Sequence, residues 1–257
     1  MTQANPVLLD IKKSIALITI NRPSANAINK EAVESLLSIL DDIEKNKDVR
    51  VIMITGQGEK GFCAGFDLKD GANAHFINPK AQELCNRLEF FTKPVIAVIN
   101  GFALGGGCEI ALACHFRFMT KDPKACIGLP ETDLGVLPVW GGTQRLPKIV
   151  GKSKAMELIF MALRLNPEEA YTISLVDKLF PADSLMAESR QFAANLASRP
   201  PLACSAILKA MTAGEQSGLK AGLEMELAEV AKIGLSEDAM EGMRAFFEKR
   251  KPEFMGG

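Results

Sequence analysis

The chain has 257 residues, 47% of them hydrophobic and 24% charged, with 21 Gly and 13 Pro; this is the balance of an ordinary soluble globular domain and excludes disordered, collagen-like and low-complexity classes. Thirty basic residues against 31 acidic ones leave a formal net charge of −1, so no global field holds a polyanion and nucleic acid is excluded as a partner. No apolar run reaches the ~20 residues of a membrane span. Six cysteines without a C-x-x-C pair predict reduced thiols in a cytoplasmic protein, and two histidines leave little material for a metal site.

In chain order, Val7 to Ile11 and Ile15 to Ile20 alternate with the β period around Lys12-Lys13-Ser14 and predict a hairpin, not a signal peptide. Asn29 is a candidate N-cap for a helix carrying Val33, Leu36, Leu37, Leu40 and Ile43 at helical spacing. The continuous apolar run Val49 to Thr55 predicts a strand buried on both faces. A helix over Pro79 to Phe91, a buried strand Pro94 to Ile99 and a helix Gly105 to Cys114 repeat the plan, with Asp70 to Asn78 read as a mobile loop. From Ser153 the spacing predicts helices over 154–163, 167–174, 182–198, 201–211, 219–233 and 236–249, with a break at Arg199-Pro200-Pro201. Residues 1–197 are expected to form an α/β core. Residues 198–257 form a helical region whose stripe Leu223, Leu227, Val230, Ile233 needs an apolar surface to cover.

Three features can carry chemistry. Gly105-Gly106-Gly107 opens a helix without a Cβ, so a ligand can approach the N–H groups at its positive end, which suits a developing oxyanion. Glu109 and Glu131 are carboxylates in apolar surroundings that could share a water if they converge. Gly61 to Leu68 follows a buried strand and could supply a second backbone donor. Each alone also fits tight packing or an ion pair. Nucleotide motifs fail: no G-x-G-x-x-G with a following acid occurs, and Gly151-Lys152-Ser153 has Leu146 where a P-loop needs glycine.

Together, Phe62-Cys63-Ala64-Gly65-Phe66-Asp67-Leu68, Lys93 to Glu109, Pro130-Glu131 and Gly141-Gly142-Thr143-Gln144-Arg145-Leu146 resemble the enoyl-CoA hydratase/isomerase (crotonase) family. Asn21-Arg22-Pro23 near the start, and Ser236 to Gly242 and Glu248-Lys249-Arg250 near the end, extend the resemblance over nearly the whole chain. It implies an α/β spiral of repeated ββα units with a C-terminal helical region, 198–257, that serves oligomerisation into a homotrimer or homohexamer and pocket closure. It also implies an acyl-CoA substrate and no cofactor beyond that coenzyme A. The N–H groups of Ala64 and Gly106 are implied as the oxyanion hole, Glu109 as activator of water and Glu131 as donor of the α-proton. Gly65, Phe66, Asp67, Leu68, Pro130, Val139 and Trp140 are implied around the substrate.

Retention of both glutamates favours hydration over the isomerase alternative, in which Glu109 has no water-activating role, and over a non-catalytic acyl-CoA-binding or RNA-binding scaffold. Val139-Trp140 departs from the Gly-Ala common in simple hydratases and predicts an acyl group that is cyclic or otherwise non-linear. His115 replaces the usual Asp and is expected to be structural; Arg22 and Lys69 lie near the motifs as candidates for the coenzyme A phosphates.

Overall fold

The computed structural model of the chain describes residues 5–256. Strands β1 (Val7–Lys12) and β2 (Ile15–Ile20) pair antiparallel, with Val7 opposite Ile20. Helix α1 (Lys30–Lys45) begins where the Asn29 side chain accepts the Ala32 N–H at 3.0 Å, and its five predicted apolar positions are all buried. The chain then winds through three similar turns. The first is β3 (Val51–Gly56), β4 (Gly61–Cys63) and, after a 3₁₀ turn at Leu68–Asn73, α2 (Ala74–Glu89). The second is β5 (Val95–Ile99), β6 (Phe102–Leu104) and α3 (Gly106–Ala113). The third is β7 (Phe116–Thr120), β8 (Ile127–Gly128), a 3₁₀ turn at Glu131–Leu134, and α4 (Gly142–Val150). This is the expected ββα spiral.

Each turn gives one strand to a large sheet, ordered β1-β2-β3-β5-β7-β10, and one to a small sheet, ordered β4-β6-β8-β9. The elements that complete them are α5 (Lys152–Phe160), β9 (Arg164–Leu165), α6 (Pro167–Thr172) and β10 (Lys178–Phe180), followed by α7 (Leu185–Ala197). The central strands β3 and β5 of the large sheet are buried on both faces, which accounts for their unbroken apolar sequences. Ile52 and Ile54 of β3 face the core shared with α1, α2 and α3, while Val51 and Met53 face a second core with Phe118 and α7.

The small sheet matters most for function. Its strands β4, β6 and β8 run parallel, so the segments that leave their C-terminal ends emerge side by side. Those segments are Ala64–Phe66, Gly105–Gly106 and Leu129–Glu131. Asn100 joins the turns that precede these strands: its Nδ2 donates to the Gly56 and Gly58 carbonyls at 3.0 and 2.6 Å, tying the end of β3 to the end of β5.

Asp70 to Asn78, expected as a loop, is instead the 3₁₀ turn and the start of α2, which begins five residues before Pro79. Local polar contacts order it: the Asp67 carboxylate caps the Lys69 N–H, and Asp70 accepts from the Lys30 N–H and the Asn73 side chain. Beyond α7 the chain forms α8 (Pro201–Ser217), α9 (Leu219–Ile233) and α10 (Glu237–Glu248). Helices α8 and α9 meet where Gly222 lies against Gly214. Leu227 is 72% exposed, Phe246 78% and Phe247 80%, so the chain's own core does not cover these helices. No helix among the described residues is long and apolar enough to cross a membrane.

Helix α3 crosses β4 so closely that a Cβ on Gly107 would lie 2.1 Å from the Cys63 carbonyl oxygen. Gly107→Ala is therefore expected to destabilise the fold by at least ~1–3 kcal/mol, because backbone must move to admit the methyl. A urea unfolding midpoint equal to that of the unsubstituted protein would contradict this contact.

Candidate active site

Gly65 adopts φ +85° and Gly105 φ +53°, both in the left-handed region where glycine carries no steric penalty. A Cβ on Gly65 would lie 2.5 Å from the Gly106 nitrogen, so the two segments touch backbone to backbone. Gly106 is the first residue of α3, and its N–H belongs to the unbonded first turn of the helix.

The expected partner donor, Ala64, needs correction. Its N–H donates to the Ala25 carbonyl at 3.0 Å and is already committed. Along the same segment the Gly65 N–H points at the Cys63 Sγ (3.3 Å) and the Asp67 N–H at the Ile28 carbonyl (2.9 Å). The Phe66 N–H has no such bond among the described residues, and Phe66 directly follows the glycine pressed on Gly106. The free pair of amides is Phe66 and Gly106. The family resemblance implies a donor in this loop, and the sequence cannot show which amide the Ala25 carbonyl consumes.

Glu109 lies on the first turn of α3 and is 1% exposed. Its Oε1 accepts two backbone N–H groups, from Trp140 at 2.8 Å and Gly142 at 2.7 Å. Gly142 permits the approach, because a Cβ there would be 3.1 Å from that oxygen. Burial pushes the Glu109 carboxyl up to about 7, the two N–H donors oppose the rise, and the charge of Glu131 adds to it. Glu131 packs its Oε1 against Gly105, 3.1 Å from where a Cβ would sit, while its Oε2 is buried with no hydrogen-bond partner. Burial also raises its pKa. Hydrogen bonding distinguishes the two acids: the Glu109 Oε1 accepts two N–H groups, and the buried Glu131 Oε2 accepts none among the described residues. The pair converges on the turn that also holds the free Gly106 amide. Such an arrangement can take a proton from water with one carboxyl and deliver one with the other.

Trp140 is 1% exposed and forms a wall of this site. A Cβ on Gly106 would come within 2.0 Å of its Cζ3, and its Nε1 donates to the Asn78 Oδ1 at 3.1 Å. Pro130 directly precedes Glu131, Val139 directly precedes Trp140 and is exposed, and Leu68 is exposed. Asp67 is held by Arg22 at 2.9 Å, and Arg22 also donates to the Ala27 carbonyl. Arg22, Lys69, Asn21 and Asn29 line a polar cavity of about 470 Å³ beside the loop. His115 is structural: its Nδ1 accepts the Val95 N–H at 2.9 Å, and burial pushes its pKa down to about 4, so it is neutral. His75 is exposed on the first turn of α2. The Cys63 thiol, buried under the donor loop, is pushed up to about 12 by burial. Among the described residues no three His, Cys, Asp or Glu side chains cluster as metal ligands.

Known proteins resemble this chain along nearly its whole length. The family model described as Enoyl-CoA hydratase/isomerase matches residues 10–257. The short-chain-enoyl-CoA hydratase of Clostridium acetobutylicum is 37% identical over 257 residues, covering 98% of both chains. The crotonyl-CoA hydratase of Syntrophomonas wolfei is 35% identical, covering 97% of both. The crystal structure of an enoyl-CoA hydratase from Bacillus anthracis superposes with a TM-score of 0.94 at 36% identity, covering 98% of this chain and 100% of that one.

The raised Glu109 carboxyl has a consequence for stability. Its folded-state value of about 7 exceeds the usual 4.5, so its contribution to stability is fully present below 4.5 and is lost as pH rises through 7. Glu109→Gln keeps the oxygen that accepts the Trp140 and Gly142 N–H groups but cannot ionise. The variant is expected to melt several degrees above the parent at about pH 8, with the gap closing below pH ~4.5; a gap independent of pH in a thermal scan would contradict the raised value.

Proposed function

The chain belongs to the enoyl-CoA hydratase/isomerase family, and on that premise we propose that it is a hydro-lyase that adds water across the α,β double bond of an enoyl-CoA thioester. The observation that carries this reading is the buried acid pair beside two unspent amides. The thioester oxygen accepts the Phe66 and Gly106 N–H groups, which point at the place where negative charge develops. The free Oε2 of Glu109 takes a proton from water as the water oxygen bonds to the β-carbon. The double-bond electrons move onto the thioester oxygen, and the enolate collapses as its α-carbon takes the proton of Glu131. One proton has then moved from Glu131 to product and one from water to Glu109; transfer between the carboxyls through solvent restores the starting state. This chemistry draws on no metal and no cofactor other than the coenzyme A carried by the substrate.

The polar cavity that holds Lys69 beside the Arg22–Asp67 pair, with Glu31 also in its lining, is the candidate place for the anionic part of coenzyme A, Lys69 being its cation without an ion pair among the described residues. The indole of Trp140 against Gly106 favours an acyl group that is cyclic or otherwise non-linear. The named relatives are short-chain and crotonyl-CoA hydratases, so crotonyl-CoA is the reference substrate. The uncovered apolar surface of α8–α10 fits self-assembly, and we assign residues 198–257 to a homotrimer or homohexamer contact and to closing the pocket, in a cytoplasmic enzyme.

Loss of the conjugated thioester absorbance, with ¹⁸O from water recovered in the product, tests hydration directly; isomerisation carries no solvent oxygen into the product. Glu109→Gln and Glu131→Gln are each expected to lower kcat by roughly 10²–10⁴-fold while the Kd for a saturated acyl-CoA stays near that of the parent. Near-normal hydration in either variant would sink the assignment. For the acyl group, kcat/KM with a cyclohexene-carbonyl-CoA is expected to exceed that with crotonyl-CoA, and the reverse order removes the cyclic reading.

A further inference from the structure

Glu109 owes its geometry to a loop, and the loop is held from outside. The guanidinium of Arg145, in the first turn of α4, is 5% exposed and makes bonds in three directions. Its Nη1 donates to the Trp140 carbonyl at 2.8 Å, its Nε to the Glu89 carboxylate at 2.8 Å and its Nη2 to the Asn86 Oδ1 at 2.6 Å. Gly141, at φ +113°, gives it room, because a Cβ there would lie 1.9 Å from Nη1. The peptide whose carbonyl Arg145 grips belongs to Trp140, and the N–H of that residue is one of the two that hold Glu109.

The anchors share one face of α2. Asn78, Gln82, Asn86 and Glu89 are spaced four, four and three residues apart, which aligns them along one helical stripe. Asn78 accepts the Trp140 Nε1, Gln82 donates to the Val139 carbonyl at 3.1 Å, and Asn86 and Glu89 hold Arg145. The buried guanidinium and its carboxylate are the strong link, since charge-assisted bonds out of water outweigh the exposed Gln82 contact.

We propose that Arg145, braced by the Asn86 and Glu89 end of this stripe, is a positioning residue for Glu109: it fixes the Trp140–Gly142 loop so that two N–H groups meet on one carboxylate oxygen and the other faces the reactants. This extends the hydratase reading and rests on it for its kinetic consequence. The titratable and charged groups around Glu109 are Glu131 after β8, Arg145 on α4, the Cys85 thiol on α2 and the Cys108 thiol on α3, with Glu89 of α2 behind Arg145. Arg145 is the cation among them and lowers the Glu109 pKa, so loosening it moves the Glu109 titration upward.

The test compares Arg145→Lys, Glu89→Gln and the milder Asn86→Ala in the full chain. Each is read by thermal stability, Kd for butyryl-CoA, the pH profile of kcat/KM for crotonyl-CoA, and ¹³C NMR titration of labelled glutamate carboxyls, assigned by difference from Glu109→Gln. Asn86→Ala is expected to lower kcat roughly tenfold and Arg145→Lys roughly 10²-fold. In both, the acid limb of the profile and the Glu109 resonance shift to higher pH together, with butyryl-CoA affinity unchanged. A kcat that falls only as melting temperature falls, with limb and resonance unmoved, would overturn the proposal. So would folded Asn86→Ala and Arg145→Lys variants with parental kcat. If the parent hydrates no enoyl-CoA the hydratase reading fails, and the NMR titration still decides whether Arg145 sets the state of Glu109.

Discussion

The site depends on one steric constraint: the backbone of Cys63–Gly65 must lie directly on the backbone of Gly105–Gly107. The methyls that would stand between them are missing from both sides, at Gly65 toward the Gly106 nitrogen and at Gly107 toward the Cys63 carbonyl. This contact lets the parallel ends of β4 and β6 close into one turn, and the same turn receives Glu131 from the end of β8. The larger sheet, the helices around it and the two apolar cores hold those three short strands in register. Strands of two or three residues would not persist without that support.

The second constraint is electrostatic. Two acids kept from water hold their protons more tightly than exposed ones do, and the structure divides them by supplying two N–H donors to Glu109 and leaving the Glu131 Oε2 with none. An apolar pair at these positions would favour folding. The polar stripe of α2 and the buried Arg145 maintain a loop whose own sequence, Val139-Trp140-Gly141-Gly142, has little local preference for its shape. The demand for two charged groups inside the fold is thus spread over a helix and two loops.

Much of this was legible in the amino-acid order. The hairpin, α1 with its Asn29 cap, the buried strands β3 and β5 and the helices from α5 onward follow from periodicity and caps. The glycine turn and the two glutamates stood out because carboxylates and glycines are unusual in apolar runs. What could not be read is tertiary. Strands β4, β6 and β8 are too short to show a period, α4 hides behind Gly141-Gly142 and Pro147, and the start of α2 looks like a polar loop before Pro79. That Ala64 has spent its amide on Ala25, leaving Phe66 free, depends on a partner 39 residues away. The role of Arg145 depends on α2, more than 50 residues away.

The buried thiol of Cys63 acquires a different meaning once the substrate is considered. An α,β-unsaturated thioester is an electrophile, and the donors that polarise it for water also polarise it for sulfur. Cys63 precedes Phe66 by three residues, with its Sγ against the Gly65 N–H. Because burial pushes this thiol up to about 12, it stays protonated at neutral pH. A thiol kept buried and protonated beneath the donor loop is a poor nucleophile toward such an ester.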